Sequence, residues 1–91
     1  MERPAMKVRI DDRLLLQELD GEAVLLSPQS GKYFGLNPVG TRIFTLLRQG
    51  HSREAVVEIL IEEFEVDAQR AGQDLEGFLA ELAEAGLVDA G

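Results

Sequence analysis

A chain of 91 residues with no cysteine and a formal net charge of −8 is one small domain with neither a disulfide framework nor a thiolate metal site,. No apolar run approaches the length of a membrane-spanning helix, and Met1 to Lys7 lacks the apolar core of a signal peptide, which predicts a cytoplasmic protein without a membrane partner,. The charge is uneven: residues 51–91 carry Arg53 and Arg70 as their only basic side chains against eleven acids, a surface that repels phosphate backbones,.

Residues 1–5 read as a flexible N-terminal tail, and residues 6–91 as a single domain. Met6 to Ile10 alternates apolar and charged side chains, the period of a half-buried strand,. Asp11-Asp12 interrupts it, and Leu14 to Leu19 resumes as a strand. Asp20-Gly21 is a hairpin turn signal, because glycine accepts positive φ and aspartate tolerates it. Glu22 to Leu26 returns as the next strand. After the turn Ser27-Pro28-Gln29-Ser30-Gly31, Lys32 to Leu36 completes an antiparallel meander, with this last strand at an edge if spatial order follows chain order,.

Asn37-Pro38 joins that strand to a helix without a spare residue: asparagine is a favoured N-cap, and proline at the first helical position loses no needed hydrogen bond. Val39, Ile43, Leu46 and Leu47 form its apolar stripe, and Gly50 ends it,. A second helix starts at the cap Ser52 and places Val57, Leu60, Ile61 and Phe64 on one face,. A third, capped by Asp67, carries Ala71, Leu75, Phe78, Leu79 and Leu82 and ends at Gly86, with Leu87-Val88 a short extended piece. The expected fold is α+β and winged helix-turn-helix-like, a three-stranded antiparallel sheet followed by three helices.

Catalytic chemistry is hard to assemble from these residues. His51 is the only histidine, in a loop with no metal-ligand partner at useful spacing, and fits a capping role,. Glu62, Glu63 and Glu65 lack the alternation of a calcium loop,. Gly31, Gly35 and Gly40 form neither a dinucleotide fingerprint nor a Walker loop,. Ser27, Ser30 and Ser52 fit turns and caps. The expectation is a protein that is not an enzyme and needs no cofactor or metal. A winged-helix order invites a DNA-binding reading, but the acidic last two helices oppose it.

The run Lys32 to Leu47, KYFGLNPVGTRIFTLL, resembles the signature of PqqD-like proteins, the RiPP recognition elements that bind leader peptides of ribosomally made, modified precursors. The family pattern of an aromatic strand, Leu-Asn, glycine, isoleucine, an aromatic and Leu-Leu falls here on Leu36-Asn37, Gly40, Ile43, Phe44 and Leu46-Leu47. Phe44 stands where tryptophan is frequent, a change of bulk. The likeness extends over residues 6–88, with only the central run specific, and is greatest to the stand-alone member of lasso-peptide clusters.

The resemblance implies a peptide added as a strand to the edge near 32–36, with side chains entering a groove beside the third helix. The implied binding residues are Ser30, Gly31, Lys32, Tyr33, Phe34 and Gly35, with Arg70, Asp74, Leu75 and Phe78 on the helix. Alternation places Phe34 and Leu36 on one strand face and Tyr33 and Gly35 on the other. Core packing is the competing explanation for Phe34, Leu75 and Phe78, and it accounts for Leu36, Ile43, Leu46 and Leu47. Gly72 and Gly77, inside the third helix, fit either close approach by a peptide or simple tolerance. The implied partners are a precursor leader peptide and a leader peptidase or other modifying enzyme, with the adaptor itself monomeric. The rival readings are a peptide chaperone for a radical enzyme in quinone cofactor synthesis, a winged-helix DNA-binding regulator and a module that dimerises through the strand edge.

Overall fold

A computed structural model describes residues 9–10, 13–20, 22–86 and 88–89, with only the backbone described at 9, 10, 19, 88 and 89. The expected tail at 1–5 lies outside the described residues, as do residues 6–8 of the first expected strand. Strands β2 (Leu15–Leu19), β3 (Glu22–Ser27) and β4 (Lys32–Leu36) form an antiparallel sheet in the order β2-β3-β4. Leu19 pairs with Glu22, and Asp20 takes a left-handed φ of 51° in the turn between them. The second turn closes with Gly31 donating its N–H to the Ser27 carbonyl at 2.8 Å. Its φ of 74° is open to glycine without strain,.

The pairing sorts the sheet into two faces. Ala23, Leu25, Ser27 and Leu36 are buried against the helices. On the other face, Leu15, Leu26 and Tyr33 lie in one row across the three strands, with Leu15 and Tyr33 exposed. The first strand departs from the expected meander. Its described part, β1 (Arg9–Ile10), pairs antiparallel with β5 (Val88–Asp89) in a separate two-stranded ribbon. The expected extended piece at 87–88 is thus seen one residue later, with Leu87 outside the described residues.

Helix α1 (Pro38–Arg48) is capped by Asn37, α2 (Arg53–Phe64) by Ser52 and α3 (Ala68–Glu84) by Asp67. Each cap side chain accepts the N–H three residues on, at 2.7 Å from Gly40, 3.1 Å from Ala55 and 2.8 Å from Arg70. Phe44, Ile43, Leu25, Val56 and Ala71 are fully enclosed in the core. The α3 stripe is buried as its periodicity predicts. In α2 the buried pair is Val56 and Leu60, with Val57, Ile61 and Phe64 only half-buried, so its contact face is turned from the expected one. That helix is apolar around much of its circumference, and period alone fixes its rotation poorly. It ends at Glu65, which adopts a left-handed φ of 54° without being glycine.

Arg42 ties α1 to α2. Its Nε and Nη2 each donate to a carboxylate oxygen of Glu63 at 2.8 Å. No helix among the described residues is long and apolar enough to cross a membrane.

Candidate functional site

The site is assembled at the junction that Asn37-Pro38 makes compact. Strand β4 lies at an edge of its sheet, and no described strand pairs with its outer side. An edge of this kind leaves backbone N–H and C=O groups available to an added strand. Beside it runs a groove of about 300 Å³ between β4 and α3, with the start of α1 across its base. Strand β4 contributes Phe34, Gly35 and Leu36; the cap and first turns of α1 contribute Asn37, Val39, Gly40 and Ile43. Helix α3 contributes Arg70, Gln73, Asp74, Gly77, Phe78 and Glu81.

The floor is apolar: Phe78 and Leu36, core residues each 8% exposed, reach it, with the fully buried Ile43 beneath them. The polar groups stand on the α3 rim. Arg70 Nε donates to Asp74 Oδ1 at 3.3 Å, an i,i+4 pair whose arginine remains largely exposed. Such a pair adds little stability at the surface. Its charges, with Glu81 further along, are available to orient an occupant instead.

Five of the ten residues expected at the site line this groove: Phe34, Gly35, Arg70, Asp74 and Phe78. The others fall elsewhere. Leu75 is buried in the core. Tyr33 is 76% exposed on the outer sheet face, and Lys32 is also exposed. Ser30 and Gly31 lie in the turn before β4, with Ser30 Oγ accepting the Lys32 N–H at 3.3 Å. The groove also includes residues that sequence reasoning did not place in a site. Gln73 and Glu81 flank Gly77 at four-residue spacing along α3, a common face that their polar type alone conceals, while Gly77 itself fitted close approach by a peptide or simple tolerance,. Asn37 and Ile43 were accounted for as cap and core, and Gly40 as part of the family signature alone.

A second cavity of about 400 Å³ lies on the opposite side of α1, lined by Pro38, Thr41, Arg42 and Thr45 with Glu18, Glu22, Ala23, Leu36 and Phe64. Its arginine is engaged by Glu63, which that guanidinium holds below the usual carboxylate range. His51 caps the end of α1, with Nδ1 3.1 Å from the Leu46 carbonyl. The described residues contain no group of three or more His, Cys, Asp or Glu side chains placed to hold a metal. An open strand edge beside a groove with apolar side chains at its floor and charged ones along its rim is suited to holding an extended chain. The backbone edge supplies sequence-independent hydrogen bonds, and the trough discriminates among side chains.

Comparison with known proteins agrees with this geometry. The family model described as coenzyme PQQ synthesis protein D (PqqD) matches residues 22–88. The solved structure of TbiB1 in complex with the TbiA(beta) leader peptide is 38% identical, with a TM-score of 0.81, covering 91% of this chain and 96% of that one. A lasso peptide synthetase B1 complexed with its leader peptide is 30% identical, with a TM-score of 0.81, covering 91% of this chain and 98% of that one. No curated protein gives a significant match.

Proposed function

This chain belongs to the PqqD family, and from that membership we propose that it is a non-catalytic adaptor for the leader peptide of a ribosomally made precursor, a lasso peptide in the first instance. The observation that carries the reading is the open edge of β4 running beside the groove, in a chain similar over most of its length to two proteins solved with leader peptides. The leader adds as a further strand along residues 32–36 and turns alternate side chains into the trough under α3. The adaptor then delivers the precursor to a leader peptidase, raising the local concentration of the cleavage site without cutting it. Precursors are met where ribosomes make them, which places the adaptor's work in the cytoplasm; a monomer, with the β4 edge left free for the leader, suits that role.

The energetics require both parts of the site. About four added backbone hydrogen bonds at roughly 0.5–1.5 kcal/mol each give only a few kcal/mol. Micromolar affinity needs about −8 kcal/mol after the cost of ordering a flexible peptide. Apolar contacts with Phe34, Phe78 and Val39 must supply the remainder, and they also set the register.

The test is a titration of fluorescein-labelled TbiA(beta) leader peptide, and of the leader peptide bound by the similar lasso peptide synthetase B1, followed by anisotropy. Saturable binding that Phe34→Asp abolishes is the expected result. No saturation with either peptide up to about 100 μM would overturn the reading. Delivery is checked separately, by whether adding the adaptor accelerates precursor cleavage by the peptidase. A second reading, a chaperone for a radical enzyme in quinone cofactor synthesis, draws on the family's description. It uses the same groove for a different client, and binding only to a leader from that pathway would favour it.

A further inference from the structure

Helix α3 has two glycines in its interior, Gly72 and Gly77. Backbone conformation requires neither, because both sit within the helix and neither has a positive φ. Packing requires neither, because a Cβ added at either position meets no atom within 4 Å. Glycine weakens a helix interior relative to alanine, so both positions loosen α3 without serving the fold.

The two differ in where they stand. Gly77 lines the groove and Gly72 does not. One turn before Gly77 is Gln73 and one turn after is Glu81, both lining the groove as well,. The wall is therefore interrupted midway along by a position with no side chain. On the β4 side, Gly35 also lines the groove and also has open space where a Cβ would stand.

We propose that Gly77 is a specificity-determining notch: one residue of the extended leader, paired along β4, seats its bulk against the bare α3 backbone at this point. Any side chain at 77 takes up that space and excludes the residue. The inference rests on the leader-binding reading above, and it gives a function to a glycine that destabilises the helix.

The experiment compares Gly77→Ala, Gly77→Leu, Gly72→Ala and Gly72→Leu in the full chain, by thermal denaturation and by anisotropy with whichever labelled leader the wild type binds, TbiA(beta) first. Both alanine variants should melt higher, by about 4 °C or more. Gly77→Ala should bind more weakly, and Gly77→Leu should lose at least about tenfold in affinity. Both Gly72 variants should bind as the wild type does. The proposal is overturned if Gly77→Leu binds within twofold of wild type, if Gly72→Leu loses as much as Gly77→Leu, or if Gly77→Ala lowers the melting temperature. Failure of the wild type to bind either leader removes the adaptor reading itself, whereas wild-type binding that survives Gly77→Leu removes only the notch.

Discussion

Gly40 of α1 lies so close to Phe78 of α3 that a Cβ on Gly40 would stand 3.2 Å from Cε1 and 3.3 Å from Cδ1 of the ring. The glycine allows the first turn of α1 to press against the aromatic floor of the groove. Its N–H meanwhile donates to Asn37 Oδ1.

Substitution at Gly40 should therefore read out in the groove before it reads out in stability. In Gly40→Ala the Phe78 ring, whose open side is the groove, and the cap oxygen Asn37 Oδ1, 3.3 Å from the added Cβ, both have to yield by a few tenths of an ångström. The gain in helix propensity, under about 1 kcal/mol in the first turn, offsets part of that strain,. Urea denaturation should place Gly40→Ala within about 1 kcal/mol of wild type, while Gly40→Val, bulkier and β-branched, loses about 1–3 kcal/mol. Leader affinity should fall in both.

Asn37→Ala removes the side chain that accepts the Gly40 N–H at the start of α1. The expected loss is about 1 kcal/mol of unfolding free energy, and Asn37→Asp should retain most of it. Denaturant midpoints of the two variants check the difference. Because Asn37 joins β4 directly to α1, the alanine variant should also bind leader less tightly.

Glu65 closes α2 in the left-handed region, φ 54°, where a side chain is strained by about 1–2 kcal/mol. Glu65→Gly should raise stability by about 0.5–1 kcal/mol after the added freedom of the unfolded chain is deducted. Asp20, at φ 51° in a hairpin turn, is of a type that tolerates this conformation. Asp20→Gly should gain less, and melting curves of the two variants should rank them in that order.

The Arg42–Glu63 pair makes a pH-dependent contribution whose sign is fixed. Hydrogen bonding to Arg42 lowers the Glu63 pKa in the folded chain. The contribution is therefore present above the ordinary glutamate range and disappears as pH falls through the lowered value. The stability difference between wild type and Glu63→Gln should be steady near neutral pH and close in acid. Added salt should narrow it near neutral pH, since both side chains are partly exposed,.

Local signals made most of the architecture legible. Asn37, Ser52 and Asp67 act as caps because a short oxygen-bearing side chain just before an apolar period has few other uses. The stripe from Ala71 to Leu82 is buried because α3 has one apolar face and no second choice of rotation. The pairing of Arg9–Ile10 with Val88–Asp89 was not legible, since strands from opposite ends of a chain share no turn to announce them. The groove was half legible. Alternation put Phe34 and Leu36 on one strand face and the resemblance implied Asp74 and Phe78, whereas Gly77 fitted either a peptide's close approach or simple tolerance, because a missing side chain serves both equally. Leu75 was implied by the resemblance with core packing as its competing explanation, and the helix turns it into the core.

The ribbon in which Arg9 faces Asp89 brings the two ends of the described chain side by side. A short linker could join them, and new ends could be cut in an exposed loop such as Gln49-Gly50. The resulting circular permutant would keep every strand pairing and every helix while exchanging which element is synthesised first.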